Sequence, residues 1–178
     1  MVIGIGQSYR GDDGCGPFVI EELKNLNLEG LSRLKLFQST GDVTELLEQF
    51  ENFERVIIID AMASSPDQPR RVGEIVTIQG SKDSLPKLID TLPRSSTHSF
   101  NLIQSIELAR SLKVFPKALH IFGIVGQSFE LNHELSPEVK ATSLKLVAKI
   151  RKLVEGESHA RNVSDSKLSS PNGRNRKK

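Results

Sequence analysis

Short apolar runs with strand character recur along the chain, separated by longer stretches whose apolar positions fall three or four residues apart. Val2 to Gly6 fits a buried strand, and Pro17 sits in a first helical turn followed by Phe18, Val19, Ile20, Leu23 and Leu26. Leu31 to Phe37 alternates imperfectly and predicts a second strand. Thr40-Gly41-Asp42 then caps a helix carrying Val43, Leu46, Leu47 and Phe50. The clearest strand is Arg55-Val56-Ile57-Ile58-Ile59-Asp60, whose four consecutive β-branched residues imply burial on both faces. Gly73 to Gln79 alternates well enough for a fourth strand at a sheet edge. Ser95-Ser96-Thr97 offers an N-cap for a helix through Phe100, Leu102, Ile103, Ile106 and Ala109. Ala118 to Val125 is a fifth, buried strand, and Ser136-Pro137-Glu138 opens a last helix containing Val139, Leu144, Val147, Ile150 and Leu153.

Strands alternating with helices argue for βαβ units. The expected architecture is α/β, a three-layer sandwich with a mostly parallel, twisted five-stranded sheet and helices on both faces. In such sheets the ligand site lies at the C-terminal ends of the strands. That rim would receive the loop after the first strand, the end of the third strand, and the loop before the Thr97 helix.

Composition alters this picture mainly at the C-terminus. With 178 residues the chain suits one domain, expected over residues 1–155. Residues 156–178 lose apolar periodicity, are rich in Ser, Asn, Arg and Lys, and contain Pro171-Asn172-Gly173, so they are expected to form a disordered basic tail. The formal charge of +2 hides an asymmetry: the tail holds six basic and two acidic residues, which leaves 18 basic against 20 acidic in the body. A body of that charge is no nucleic-acid binder. Cys15 is the only cysteine, which excludes an intramolecular disulfide and a cysteine metal cage and fits a reducing cytosol. No segment approaches the roughly 18 apolar residues of a membrane span, and the start of the chain lacks the marks of a targeting segment. A cytoplasmic monomer is expected.

Three residues from different parts of the rim stand out. Asp13 ends a glycine-flanked acidic loop, Gly4-Ile5-Gly6 to Asp12-Asp13-Gly14-Cys15-Gly16; Asp60 follows four apolar strand residues; His98 lies in the first turn of its helix. Two carboxylates and an imidazole suit a divalent transition metal with open positions for a substrate group. The positive end of the helix dipole favours the neutral, metal-binding imidazole at His98. Each residue also has a plainer reading. Asp12 or Asp13 could cap the following helix, Asp60 could hydrogen-bond a loop, and His98 could be a surface residue. Among the other histidines, His120 inside the fifth strand reads as a core residue, His133 as an outside candidate near the rim, and His159 as part of the tail.

Other chemistries fit less well. Cys15 at a helix N-terminus invites a thiolate mechanism with His98 as base, but neighbouring carboxylates raise a thiol pKa, so a small apolar filler is the better reading. A dinucleotide loop needs a third glycine where Tyr9 stands, and an acid after the second strand where Phe37-Gln38 stands. A metal-dependent phospho-receiver signalling module, with Asp60 as acceptor, is the closer alternative. It expects a lysine after the fifth strand, where this chain has Gly126-Gln127.

The ordered set of the Gly-x-Gly run, Asp12-Asp13-Gly14-x-Gly16, Asp60-Ala61, Thr97-His98 and Leu135-Ser136-Pro137-Glu138-Val139 resembles the hydrogenase maturation proteases. These endopeptidases trim the C-terminus of the [NiFe]-hydrogenase large subunit. The resemblance spans roughly residues 1 to 155. It implies removal of the C-terminal extension from a nickel-loaded large-subunit precursor, with Asp13, Asp60 and His98 as catalytic and metal-contacting residues. The nickel would be supplied by the substrate's own active site, with no organic cofactor, and Asp13 or its neighbour Asp12 would act as general base. The chain departs from the family pattern at Gln7, where Asn is usual, and at Phe37-Gln38-Ser39-Thr40-Gly41, where an Asp-Gly-Gly-Thr loop is frequent.

Overall fold

The computed structural model describes residues 1–26, 34–66, 68–81 and 97–168, with side chains described except at 97–100 and 156–168. Its strands are β1 (Val2–Ile5), β2 (Leu36–Ser39), β3 (Arg55–Ala63), β4 (Ile75–Gly80) and β5 (Ala118–Gly126). Its helices are α1 (Cys15–Asn25), α2 (Val43–Asn52), α3 (Thr97–Ser111) and α4 (Pro137–Leu168), and a 3₁₀ turn at Gly11–Gly14 leads into α1. The strands form one sheet in the order β2-β1-β3-β5-β4. All pairings are parallel except β4 with β5, which is antiparallel at the edge.

Strand alternation divides the core between the two faces. Ile3, Ile5, Val56 and Ile58 pack with Leu46 and Phe50 of α2 and with Leu102, Ile103 and Ile106 of α3. Val2, Ile59, Ala61 and Phe122 pack with Val19, Ile20 and Leu23 of α1 and with Val139, Leu146 and Ile150 of α4. Each such side chain, taken fully out of water, contributes about 1.5–3 kcal/mol. This is the expected three-layer α/β sandwich with helices on both faces.

Several boundaries shift for physical reasons. The ladder with β1 runs from Val2↔Leu36 to Ile5↔Ser39, so β2 occupies Leu36–Ser39 rather than Leu31 to Phe37, of which residues 31–33 lie outside the described residues. Asp60 does not end its strand, because β3 continues to Ala63 by pairing with β5 up to Ala63↔Gly126. His120, opposite Ile57 and Gln79, is half-buried rather than a core residue. The last helix passes the Glu155 boundary and runs to Leu168, since no proline follows Pro137 until Pro171 to interrupt it. The remainder of the expected tail, 169–178, and the Ser95-Ser96 cap lie outside the described residues. The expected cap of α2 is present: the Asp42 carboxylate accepts the N–H groups of Thr44 at 2.8 Å and Glu45 at 3.2 Å.

Candidate active site

The strand order reverses direction at β1. The chain goes from β1 to β2 on one side and returns through α2 to β3 on the other, which makes the C-terminal end of the β1/β3 pair a topological switch point where such sheets bind ligands. The register opens a notch there. Pairing of β1 with β3 stops at Gly4↔Ile59, whereas β3 stays paired with β5 for four more residues. Asp60 is the first residue beyond the β1 ladder. Strand alternation gives it the same face as Val56 and Ile58, the face covered by α2 and α3.

The loop from Gly6 to Gly14 fills the space above β1. Gly6 has φ +131°, and a Cβ there would meet the Asp13 carbonyl oxygen at 1.9 Å, so only glycine lets the chain fold back this closely. The Asp13 side chain is buried, and its Oδ2 accepts the backbone N–H of Gln7 at 2.8 Å. This bond orients the carboxylate within the loop instead of capping α1, whose N-cap is Gly14 without a side-chain bond.

Asp12 faces the other way. It is fully buried, and its Oδ2 accepts Gln127 N–H at 2.7 Å, Ser128 N–H at 3.2 Å and the Ser136 hydroxyl at 3.1 Å, while Oδ1 accepts Ser136 N–H at 2.7 Å. Four donors occupy this carboxylate, which removes Asp12 as a candidate base. Its task is to fasten the β5–α4 loop, residues 127–136, to the β1 loop. Backbone bonds complete the join: Asp12 N–H to Ser128 O at 2.8 Å, Gly11 N–H to His133 O at 3.0 Å and Asn132 N–H to Tyr9 O at 2.7 Å. His133, the outside candidate, is exposed and lies 3.4 Å from Glu130 on this second loop.

Cys15 reports on the charge at the site. Its thiol is fully buried, and its pKa stands well above the ordinary value, first because burial penalises the thiolate and then because the carboxylates of Asp60, Asp13 and Asp12 repel it. Asp13 and Asp60 are both buried, and their charge, after burial itself, disfavours the thiolate of Cys15. Burial and neighbouring negative charge both disfavour a thiolate nucleophile at Cys15.

His98 lies in the first turn of α3. Six residues join the end of that helix to the start of β5, at the N-terminal edge of the sheet, so its first turn lies toward the opposite edge, that of Asp13 and Asp60. The imidazole itself lies outside the described side chains. As a set of donor types, two carboxylates and an imidazole suit a borderline divalent ion such as nickel or zinc.

Comparison with known proteins bears on what this rim does. The family model described as hydrogenase maturation protease matches residues 18–153. The Hydrogenase 2 maturation protease of Escherichia coli (strain K12) is 25% identical over 141 residues, covering 79% of this chain and 81% of that protein. Among solved structures, the [NiFe] hydrogenase maturation protease HybD from Thermococcus kodakarensis superposes with a TM-score of 0.65 at 26% identity, over 86% of this chain and 97% of its own. The hydrogenase maturating endopeptidase HybD from E. coli, with a TM-score of 0.67 at 21% identity over 88% and 91% of the two chains, shares the fold. A peptidase family displaces the phospho-receiver alternative. The sandwich, the switch-point carboxylates and these matches together place the chain in the hydrogenase maturation protease family.

Proposed function

We propose that this endopeptidase removes the C-terminal extension of a nickel-loaded [NiFe]-hydrogenase large-subunit precursor, and that Asp13, Asp60 and His98 read the nickel. The observation that carries the reading is the pair of buried carboxylates at the β1/β3 switch point, Asp13 from the loop after β1 and Asp60 from β3. The nickel belongs to the substrate. Asp13, Asp60 and His98 would lend it oxygen and nitrogen donors, and the ion would supply charge that draws the precursor's C-terminal segment to the rim.

The residues of the chain then have separable tasks. Gln7 N–H holds one oxygen of Asp13, so the carboxylate keeps a fixed orientation when substrate arrives. Asp13 accepts a proton from the water that attacks the scissile carbonyl, acting as general base. Asp60, held by β5 just beyond the end of the β1 ladder, supplies the second carboxylate. Asp12 keeps the loop in place from behind. The protein works on this reading as a cytoplasmic monomer; among the described residues no helix is long and apolar enough to cross a membrane.

Mass spectrometry of large-subunit precursor before and after incubation tests the proposal, with nickel-loaded and nickel-free precursor in parallel. Loss of the C-terminal extension from the loaded form alone is the expected result. Equal trimming of both forms would sink the nickel-reading role, and no trimming of either would sink the assigned substrate.

A further inference from the structure

The two fastened loops carry on their outer side a feature that catalysis at Asp13 does not use. Tyr9 is 57% exposed and Leu131 is 59% exposed, among the most exposed large apolar side chains described. They project from adjacent segments: Asn132 N–H donates to Tyr9 O at 2.7 Å, and Arg10 pairs with His133 in a parallel bridge. Tyr9 is also the only tyrosine of the chain. Polar residues flank the two side chains along these segments. The Arg10 guanidinium donates to Phe129 O at 3.4 Å, and Glu130 and His133 lie on the same loop. Exposed apolar side chains among polar neighbours are the composition of a protein contact surface, and tyrosine is enriched at its energetic centres.

Single exposed apolar residues are ordinary on any surface. What distinguishes this pair is its footing. The segment beneath it is fixed by the fully buried Asp12 carboxylate with its four donors, so both side chains are displayed from a backbone with little freedom left to lose on binding. The footing is also continuous with the catalytic rim. Asp13 N–H donates to Arg10 O at 3.2 Å, which puts Tyr9 about one turn of chain from the candidate base. A polypeptide extended through the rim, at about 3.3–3.6 Å per residue, reaches the pair within a few residues of its scissile bond.

We propose that Tyr9 and Leu131 form a docking surface for an uncharged, apolar stretch of the large-subunit precursor next to the scissile bond. The mixed signs of Arg10, Glu130 and Glu134 on these two segments favour such a stretch over a charged one. This rests on the precursor being the substrate. The surface sets how tightly the substrate is held, while Asp13 and its partners set how fast it is cut.

Steady-state processing of nickel-loaded precursor by Tyr9→Ala, Leu131→Ala and the double variant tests the surface, with Leu112→Ala, at a site 58% exposed just beyond the far end of α3, as control. Loss of two such contacts predicts a KM raised roughly tenfold or more in the double variant with kcat within about twofold. Thermal midpoints should be unchanged, since both side chains are already in water. An unchanged KM in the double variant overturns the proposal, as does an equal rise in Leu112→Ala. If wild-type protein cuts no precursor, the assigned substrate fails first, and binding of precursor to immobilised protein then decides the surface: weaker capture by the double variant upholds it, equal capture overturns it.

Discussion

Asp12 and Ser136, 124 positions apart in the chain, are joined by two hydrogen bonds: the carboxylate accepts the serine N–H at 2.7 Å and its hydroxyl at 3.1 Å. With Gln127 and Ser128 N–H on the same carboxylate, removal of the side chain strands three backbone donors. Asp12→Ala is expected to cost on the order of 3–5 kcal/mol, which lowers the thermal midpoint by roughly 6–20 °C in a chain of this size. Differential scanning calorimetry measures it. Ser136→Ala removes only the hydroxyl bond and should cost about 1 kcal/mol.

Asp13, Asp60 and His98 should behave differently. Asp13→Asn and Asp60→Asn keep shape and most packing, and His98→Ala trims one side chain in a first helical turn. Each should lose processing of nickel-loaded precursor by at least about a hundredfold while melting within a few degrees of the parent protein. A variant with near-normal processing would remove that residue from the machinery.

Cys15 offers a pH signature. The folded thiol titrates well above its ordinary value, so the protein holds that proton after the unfolded chain has lost it near pH 8.5. Above that pH the unfolded state binds fewer protons than the native one, and stability falls as pH rises. Denaturant titrations at pH 7.5 and 9.5 should show the decline in the parent protein and less of it in Cys15→Ala. The same variant should retain processing activity, since the thiol is buried and protonated; a folded but inactive Cys15→Ala would revive a thiol mechanism.

Gly6 is the tightest point of the active loop. Any Cβ there meets the Asp13 carbonyl at 1.9 Å in a backbone with φ +131°. Gly6→Ala should therefore move Asp13 as well as destabilise the fold, by about 2–4 kcal/mol. Processing should fall further than the melting point alone explains, a comparison made by assaying well below the variant's midpoint.

Much of this architecture is legible in the sequence because it is written locally. The β-branched run at Val56 to Ile59, the Asp42 cap and the Pro137 helix start all carry their signals within a few residues. That Asp13 and Asp60 belong to one rim follows from topology once the strands are recognised, since the loop after β1 and the end of the β1–β3 ladder lie at the same edge of the sheet. The separation of Asp12 from Asp13 is not legible. Adjacent carboxylates look alike in a sequence, and the partners that occupy Asp12 lie 115 to 124 residues away with no local mark. The continuation of β3 past Asp60 was hidden for a similar reason: Ala61, Met62 and Ala63 have little strand preference of their own and are held by β5.

The Asp12 clamp also orders events in time. A ribosome delivers residues 1 to 16 first, yet the carboxylate that steadies this loop finds its donors only when Gln127, Ser128 and Ser136 have been made. Contacts of such long sequence separation form late and slowly. A chain truncated before Ser136 would hold every residue of its acidic loop and still lack the two Ser136 donors that steady Asp12.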